Sequence, residues 1–322
     1  MESQRHYLEF ERPIGELEAK IEELSKLSET AGEGSFESEI AGLRARTEAM
    51  RREAYASLDP WQKTQVARHP DRPHLTHYLA GLIEDFEELR GDRKFADDQA
   101  IVGGLGRFRG QAVVVMGHEK GHDTTTRIKH NFGMARPEGY RKAVRLMDLA
   151  ERFNLPVLTF VDTAGAYPGV GGEERGQAEA IARSTERSLT LGTPMICTIT
   201  GEGGSGGAIA LAAGNVVMML EHSIYSVITP EGGASILFRD RDKAPHMAAS
   251  MKIVADDLKR LGVVDRVIPE PPGGAHSDPD AAISAAGDAI EEELKGLLGL
   301  SAEALRAQRA ARFEAIGRVA GI

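Results

Sequence analysis

The middle of the chain alternates short apolar runs with helical patterns of apolar residues. Two β-rich runs on either side of a polar turn predict a hairpin: 100–106 and 111–116. Each later apolar run predicts a buried strand: 157–161, 194–200, 216–220 and 224–228. Pro137 suits the first turn of a helix with one apolar stripe, formed by Tyr140, Val144, Met147 and Ala150. Strands that alternate with helices predict a mostly parallel sheet with helices packed against it.

The region before this sheet, 1–90, has a charged and helical pattern. Apolar residues at steps of three and four predict a coiled-coil-like seam: Ile14, Leu17, Ile21 and Leu24. Gly32, Glu33 and Gly34 interrupt it, and a similar seam follows at Ile40, Leu43 and Met50. We therefore expect a helical hairpin that packs on its own domain, with a clasp for a partner subunit as the alternative.

Two further connections complete this division of the chain. A loop at 69–73 joins short helices, and its histidine, His69, is expected to be solvated and not a ligand. The Pro- and Gly-rich segment 269–274 predicts a linker, after which two helices are expected at 279–298 and 301–316. The three parts are then an N-terminal helical region (1–90), a core (91–270) and C-terminal helices (271–322).

Composition narrows the classes of function. The chain has 322 residues and a net charge of −10, so it is a poor candidate for nonspecific binding to nucleic acid or to a membrane surface. Cys197 is the only cysteine, which excludes a disulfide or a thiolate zinc site within one chain. The polar start lacks a signal core, and no apolar run approaches the roughly 20 residues needed to cross a bilayer. A reducing cytosol is the simplest compartment.

Four basic residues form a patch in this acidic chain: Lys120, Arg127, Lys129 and Arg136. The functional interpretation is docking of a phosphate-bearing group such as coenzyme A. A solvated helix face is the favoured alternative.

A glycine-rich segment, 201–207, lies between an apolar strand and an apolar helix and is expected to be a loop. Glycine allows close approach of a ligand to the backbone, and N–H groups at the start of a helix hold negative charge. That charge could belong to a phosphate, a dinucleotide or a reaction oxyanion.

The first interpretation is a dinucleotide site. Gly201, Gly203 and Gly206 fit the fingerprint, and Glu221 lies 20 residues beyond Gly201. Two strand–loop units precede the segment, however, and it carries glycines that the fingerprint does not need.

The second interpretation is the nucleophile elbow of α/β-hydrolases, with Ser205 between Gly203 and Gly207. Its acid and histidine would come from downstream candidates: Asp240, Asp242, Asp256, His246 and His276. A small residue tolerated in a tight turn is the favoured explanation of Ser205.

The third interpretation is an oxyanion hole made of backbone N–H groups, which needs glycines and a helix start but no charged side chain. Two neighbouring segments would contribute. The segment 162–172 is also rich in glycine, and its Asp162 is expected to be a base or, more commonly, a cap. Thr229 and Pro230 predict another helix start, before Gly232 and Gly233. Three helix N-termini at one sheet edge would create a positive field.

Long motifs in this chain resemble one family. They include NFGMARPEGY, VDTAGAYPGVGGEERG, CTITGEGGSGGAIAL and IPEPPGGAH, and together they reach from the N-terminal helices to the C-terminal segment. The chain resembles the carboxyltransferase alpha subunits of bacterial multisubunit acetyl-coenzyme A carboxylase. The resemblance implies an α/β, crotonase-like core of ββα superhelix type, with an N-terminal helical extension and C-terminal helices.

The resemblance also implies an activity. Such subunits transfer a carboxyl group from carboxybiotin to acetyl-coenzyme A, giving malonyl-coenzyme A in the committed step of fatty-acid synthesis. They act in the cytoplasm as a heterotetramer of two alpha and two beta subunits, with the biotin carboxyl carrier protein and biotin carboxylase as further partners. The family's zinc ribbon is on the beta subunit, so no metal is expected on this chain.

The resemblance also implies roles for single residues: Gly206 and Gly207 would form the oxyanion hole that holds the ureido oxygen of biotin. A valine at Gly207 is expected to fill the space intended for that oxygen. The other glycines and the serine expected to shape the pocket are Gly203, Gly204, Ser205, Gly165, Gly232 and Gly233. Ala164 and Gly233 depart from the family, which usually has proline and often has cysteine at these positions.

Overall fold

A mixed β-sheet forms the centre of the protein in the computed structural model, which describes residues 6–31 and 36–318. The described strands are β1 (Ile83–Glu88), β2 (Ile101–Phe108), β3 (Gln111–His118), β4 (Val157–Thr163), β5 (Met195–Gly204), β6 (Val216–Leu220), β7 (Ile224–Ser226) and β8 (Arg266–Ile268). β1, β2 and β3 are antiparallel, and β3, β4, β5, β6 and β8 are parallel in that order. β5 is long enough to pair with β6 through its first half and with β7 through its last three residues.

Helices cover both faces of the sheet. The described helices are α1 (Arg12–Ala31), α2 (Glu37–Ala56), α3 (Pro60–Ala67), α4 (Leu75–Leu82), α5 (Thr124–Lys129), α6 (Pro137–Phe153), α7 (Val170–Glu174), α8 (Gln177–Thr190), α9 (Ser205–Ala212), α10 (Pro230–Phe238), α11 (Ala244–Met251), α12 (Ala255–Arg260), α13 (Pro279–Leu297) and α14 (Ala302–Ala315). One apolar core lies between the sheet and α6, α8, α9 and α12, and a second lies under α4, α13 and α14. A smaller third cluster joins the end of α3, β7 and α11. The C-terminal helices therefore complete one face of the central sheet.

The predicted alternation of strands and helices is confirmed. α6 starts with Pro137 in its first turn and ends at Asn154, whose left-handed φ of 52° stops the helix. Tyr140, Met147 and Ala150 are fully buried, as the helical stripe predicts. Cys197 is buried within β5, and burial raises the pKa of its thiol to about 11.

The N-terminal region contains the predicted hairpin, α1 packed against α2. The interruption predicted at Gly32–Gly34 lies outside the described residues. Glu11, just before α1, and Tyr55, near the end of α2, both contact His276, so the base of the hairpin packs on its own chain. The prediction of a wholly helical region is wrong at its end, because β1 pairs with β2 and extends the sheet.

The connection after β8 is not a loose linker, contrary to the prediction. The side chain of Glu270 is buried, and both of its carboxylate oxygens accept hydrogen bonds from Arg72 at 2.8 Å. Burial alone would raise the pKa of Glu270, but Arg72 outweighs it and lowers this pKa to about 2. A buried ion pair thus fixes the chain before the C-terminal helices. Among the described helices, none combines the length and the apolar character that crossing a bilayer requires.

Candidate active site

The junction between β5 and α9 contains no loop, contrary to the prediction for 201–207. β5 continues to Gly204, and α9 starts at Ser205, which takes a left-handed φ of 49°. The turn is this tight because the backbone beside it is very close. A Cβ atom on Gly204 would lie 2.2 Å from the carbonyl oxygen of Ala164, so only glycine fits there.

The first turn of α9 presents free amide groups. No side chain caps this helix, since its N-cap residue is Gly204. The N–H groups of Gly206 and Gly207 belong to the set that an α-helix leaves without an intrahelical acceptor. They lie at the positive end of the helix dipole. Ser205 beside them is exposed, Gly206 is half-buried and Gly207 is buried. This arrangement can hold a negatively charged oxygen.

The segments after β4 and β5 are in direct contact. A Cβ atom on Gly207 would lie 2.7 Å from the carbonyl carbon of Gly165 and 2.9 Å from the nitrogen of Ala166. A valine at Gly207 would therefore collide first with this peptide, which corrects the expectation that it would simply fill an oxygen's place. Gly165 donates its own N–H to Thr163 Oγ1 at 3.1 Å, so it contributes shape and not a free donor.

The start of α10 differs from the start of α9. Thr229 caps α10: its Oγ1 accepts the N–H of Gly232 at 3.1 Å, and its carbonyl accepts the N–H of Gly233 at 2.9 Å. The N–H groups of Gly232 and Gly233 are thus already bonded, so these glycines can shape a pocket but cannot donate hydrogen bonds to a ligand. Arg68 joins the two helix starts, since it pairs with Glu202 of β5 at 2.7 Å and with Glu231 of α10 at 2.6 Å.

Three helices start at the same edge of the sheet, as expected. α7, α9 and α10 follow β4, β5 and β7, and these strands are neighbours. Gly203 lies at the contact between two of them, because a Cβ atom there would be 2.9 Å from Tyr225 Cδ2 on β7. The carboxyl ends of parallel strands are the usual place for a ligand in such a sheet.

Asp162 is neither a free base nor a helix cap. It is buried, its Oδ1 accepts the N–H of Glu202 at 2.8 Å, and Lys120 Nζ lies 2.6 Å from the same oxygen. Burial alone would raise the pKa of Asp162, but Lys120 and His74 outweigh it and hold this pKa below its usual value. Asp162 is therefore ionised and ties β4 to β5.

The basic patch is divided between different contacts. Lys120 is half-buried and pairs with the buried Asp162, which contradicts a fully solvated face. Arg136 stacks over Tyr167, with its Cζ 4.7 Å from the ring centre, and Arg127 donates to the carbonyl of Gly121.

The candidates for a serine-hydrolase triad lie in other contacts. His276 stacks on His69, His246 packs against Phe238, and Asp256 pairs with Lys63. Within 6–31 and 36–318 no histidine forms a hydrogen bond with Ser205. Glu221, the acid of the dinucleotide interpretation, accepts the N–H of Glu270 at 3.1 Å.

The prediction that His69 is solvated is wrong. His69 is buried, and burial lowers the pKa of its ring to about 4. Ligand atoms of Glu11, His69 and His276 lie within 4.8 Å of one another. The two rings are stacked, however, with centres 3.7 Å apart and 15° between their planes. Ring nitrogens bind metals in the plane of the ring, so two stacked rings do not converge on one ion in this arrangement.

Several ionisable residues around the site were not predicted, namely Arg68, Arg72, His118 and Glu202. His118 is fully buried, and burial lowers the pKa of its ring to about 4, although Asp162 acts in the opposite direction. The sequence feature that could have pointed to Arg68 and Arg72 is the run ARHPDRPH. It contains more charged residues than a short loop between helices usually has.

Comparison with known proteins identifies the family of the chain. The family described as "Acetyl co-enzyme A carboxylase carboxyltransferase-like" matches residues 7–317. The chain belongs to this family. The acetyl-coenzyme A carboxylase carboxyl transferase subunit alpha of Caulobacter sp. (strain K31) is 77% identical over 97% of this chain and 98% of its own length. The corresponding subunit of Phenylobacterium zucineum (strain HLK1) is 73% identical over the same shares.

Solved structures confirm the predicted crotonase-like fold of this carboxyltransferase chain. A Pseudomonas malonate decarboxylase hetero-tetramer in complex with coenzyme A gives a TM-score of 0.56 at 19% identity, covering 68% of this chain and 88% of that chain. The beta subunit of P. aeruginosa geranyl-CoA carboxylase gives 0.54 at 17% identity, covering 77% and 46%. The family assignment leaves the hydrolase and dinucleotide interpretations without support.

Proposed function

We propose that this chain is the alpha half of a carboxyltransferase that moves a carboxyl group from carboxybiotin to acetyl-coenzyme A, giving malonyl-coenzyme A for fatty-acid synthesis. The family match over 7–317 supports the reaction class. The observation that carries the site is the uncapped first turn of α9, with Gly206 and Gly207 beside an exposed Ser205.

The residues of this site fit the ureido group of biotin. That group offers a carbonyl oxygen, and the free N–H groups of Gly206 and Gly207 are the matching donors. Biotin on its carrier protein supplies the transferable carboxyl group and, after transfer, a ring nitrogen that can accept a proton. Gly203, Gly204, Ser205 and Gly165 shape the walls, and Gly232 and Gly233 lie at the start of the neighbouring helix.

The protein's part is to position the group and to stabilise charge. Backbone amides directed at a developing negative charge act without reorganisation, and removing one such donor typically costs roughly 2.7–4 kcal/mol of barrier. No acid–base side chain is then required at the first turn of α9, because the cofactor carries the reactive chemistry.

The site is proposed to be completed by a beta subunit, in an assembly of two alpha and two beta chains. Large apolar side chains just before α10 and in its last turn support a covering partner: Val227 is 81% exposed, Ile236 70% and Leu237 66%. The carrier protein and biotin carboxylase would be the further partners. The proposal includes a cytoplasmic location and no metal on this chain, with zinc on the beta subunit.

Reconstitution tests the proposal. The chain is mixed with a carboxyltransferase beta subunit, free biotin and malonyl-coenzyme A, and acetyl-coenzyme A formation is measured. We expect biotin-dependent turnover by the mixture and almost none by either chain alone. Robust turnover by this chain alone would contradict the proposal.

A further inference from the structure

The ladder between β4 and β5 is interrupted just before the glycine turn. Val161 pairs with Ile199, and the next pair is Thr163 with Gly203. Three residues of β5, 200–202, therefore lie opposite the single residue Asp162. A bulge of this kind bends its strand and frequently re-aims the backbone next to an active site.

The other edge of β5 is interrupted at the same place. β6 pairs with β5 only as far as Ile199, and β7 takes over from Glu202. Main-chain groups at 200 and 201 therefore lie outside the regular ladder on both sides. Buried polar backbone groups need partners, so side chains must supply them.

Asp162 supplies the partner on the β4 side. Its Oδ1 accepts the N–H of Glu202 at 2.8 Å, and a Cβ atom on Gly201 would be only 2.5 Å from that oxygen. The carboxylate thus lies flat against Gly201, in a space that any other residue would occupy. Lys120 Nζ lies 2.6 Å from the same oxygen.

Arg72 supplies the partner on the side of β6 and β7. It donates through Nη2 to the carbonyl of Thr200 at 2.8 Å and through Nε at 3.2 Å. Its Nη2 is also 3.4 Å from the hydroxyl of Ser223, which lies between β6 and β7. Arg72 is 2% exposed and is held by the bidentate pair with Glu270.

We infer that Arg72 and Asp162 are positioning residues that clamp the bulge of β5 from both sides and thereby aim the N–H groups of Gly206 and Gly207. The inference rests on the proposed function, because it names what holds the proposed amide pair in place. Neither residue touches the reacting atoms in this assignment. A misplacement of about 1 Å far from the chemistry can cost about 10²-fold in rate, so loss of the clamp is expected to act on kcat.

The chain contains a matched control for Arg72. Arg309 is also fully buried and donates to main-chain carbonyls, those of Leu191 at 2.7 Å and Thr193 at 3.1 Å. These carbonyls precede the amino end of β5, at the far end of the strand from the glycine turn. Arg72→Lys and Arg309→Lys thus remove the same kind of contact at opposite ends of one strand.

The experiment measures amide hydrogen exchange in full-length chains and kinetics in the complex with a beta subunit. For Arg72→Lys we expect faster exchange in peptides covering 199–212 and a kcat about 10²-fold lower, with KM for malonyl-coenzyme A unchanged. Arg309→Lys is expected to leave the exchange of that segment and kcat as in the wild type. Unchanged exchange in Arg72→Lys, unchanged kcat, or an equal loss of kcat in Arg309→Lys would each overturn the inference.

Variants of Asp162 provide a second, independent test of the clamp. Asp162→Ala removes the acceptor for the N–H of Glu202 and is expected to lower kcat, whereas Asp162→Asn retains an amide oxygen and should recover most of the loss. An Asn variant as slow as the Ala variant would contradict the clamp. Failure of the proposed function would be seen separately, as a wild-type complex without biotin-dependent transfer.

Discussion

The starts of α9 and α10 have similar sequences, but the amide groups of their first turns are hydrogen-bonded differently. Both lie at the same edge of the sheet, and both have two consecutive glycines in the first turn. Thr229 occupies both amides of the α10 pair, whereas no side chain caps the α9 pair. Glycine content alone therefore does not identify an oxyanion site. The two helix starts differ in their caps: the uncapped first turn of α9 leaves amide groups without an intrahelical acceptor, as the proposed site requires.

The largest effect on this contrast between α9 and α10 is expected from Gly207→Val. The new side chain would collide with the Gly165–Ala166 peptide, where a Cβ atom would already be 2.7 Å from a backbone carbon. We expect kcat of the complex to fall by about 10²–10³-fold, the loss typical of an oxyanion donor, together with a lower melting temperature. Gly296→Val serves as the control, since a Cβ atom there meets nothing within 4 Å. Wild-type turnover by Gly207→Val would refute both the contact and the role.

Acid should destabilise the folded protein through His118. Its folded pKa is about 4, below the usual value of 6.5. Above pH 6.5 the His118 ring is neutral in both the folded and the unfolded chain. It therefore adds no pH dependence to the free energy of unfolding in that range. Between pH 6.5 and 4 the unfolded chain gains a proton that the folded chain does not, so stability falls, by roughly 3 kcal/mol in all.

The measurement is denaturant unfolding of the wild type and of His118→Asn at pH 7 and pH 4.5. The variant should lose less stability on acidification than the wild type does. Equal losses in the two proteins would show that His118 does not carry this effect.

Thr229→Ala tests the capped member of the pair. It removes the acceptor for the N–H of Gly232 and is expected to cost about 1 kcal/mol of stability, with kcat close to the wild-type value. Ser301→Ala removes an equivalent cap from α14, where Ser301 Oγ accepts the N–H of Ala304 at 3.2 Å, and should give a similar loss. A large fall in kcat for Thr229→Ala alone would mean that the α10 start belongs to the catalytic site.

The smallest effect is expected from Ser205→Ala. Ser205 is exposed and forms no hydrogen bond with a histidine of the described chain. Carboxyl transfer by the complex should remain close to wild type, whereas a serine hydrolase would lose its activity. Complete inactivation would bring back the nucleophile interpretation.

More of the fold than of the candidate site could be predicted from the sequence. Apolar runs and helical stripes located the main strands and α6, because burial imposes a period on the sequence. β1 and β8 were missed, since Ile83–Glu88 is largely polar and Arg266–Ile268 is only three residues long. Strands at the edges of a sheet bury less of their surface and therefore leave a weaker pattern.

The glycine motif located the junction but not its geometry. No local pattern shows that β5 runs on to Gly204, because the side chains that bond its main chain there, Asp162 and Arg72, are 40 and 128 residues from their partners. The ionisable residues that support the site come from distant segments, and only the fold brings them together. The same reason explains why His69 was expected in solvent and is buried.

The buried guanidinium of Arg309 has a consequence for biosynthesis. Its hydrogen bonds to the carbonyls of Leu191 and Thr193, and to the side chain of Asn215, complete the amino end of the central strand from a helix near the end of the chain. A nascent chain that stops on the ribosome before this helix has emerged would leave those acceptors without their donor. The parallel half of the sheet is therefore expected to reach its final stability only once the chain has been translated beyond Arg309 and α14 has emerged.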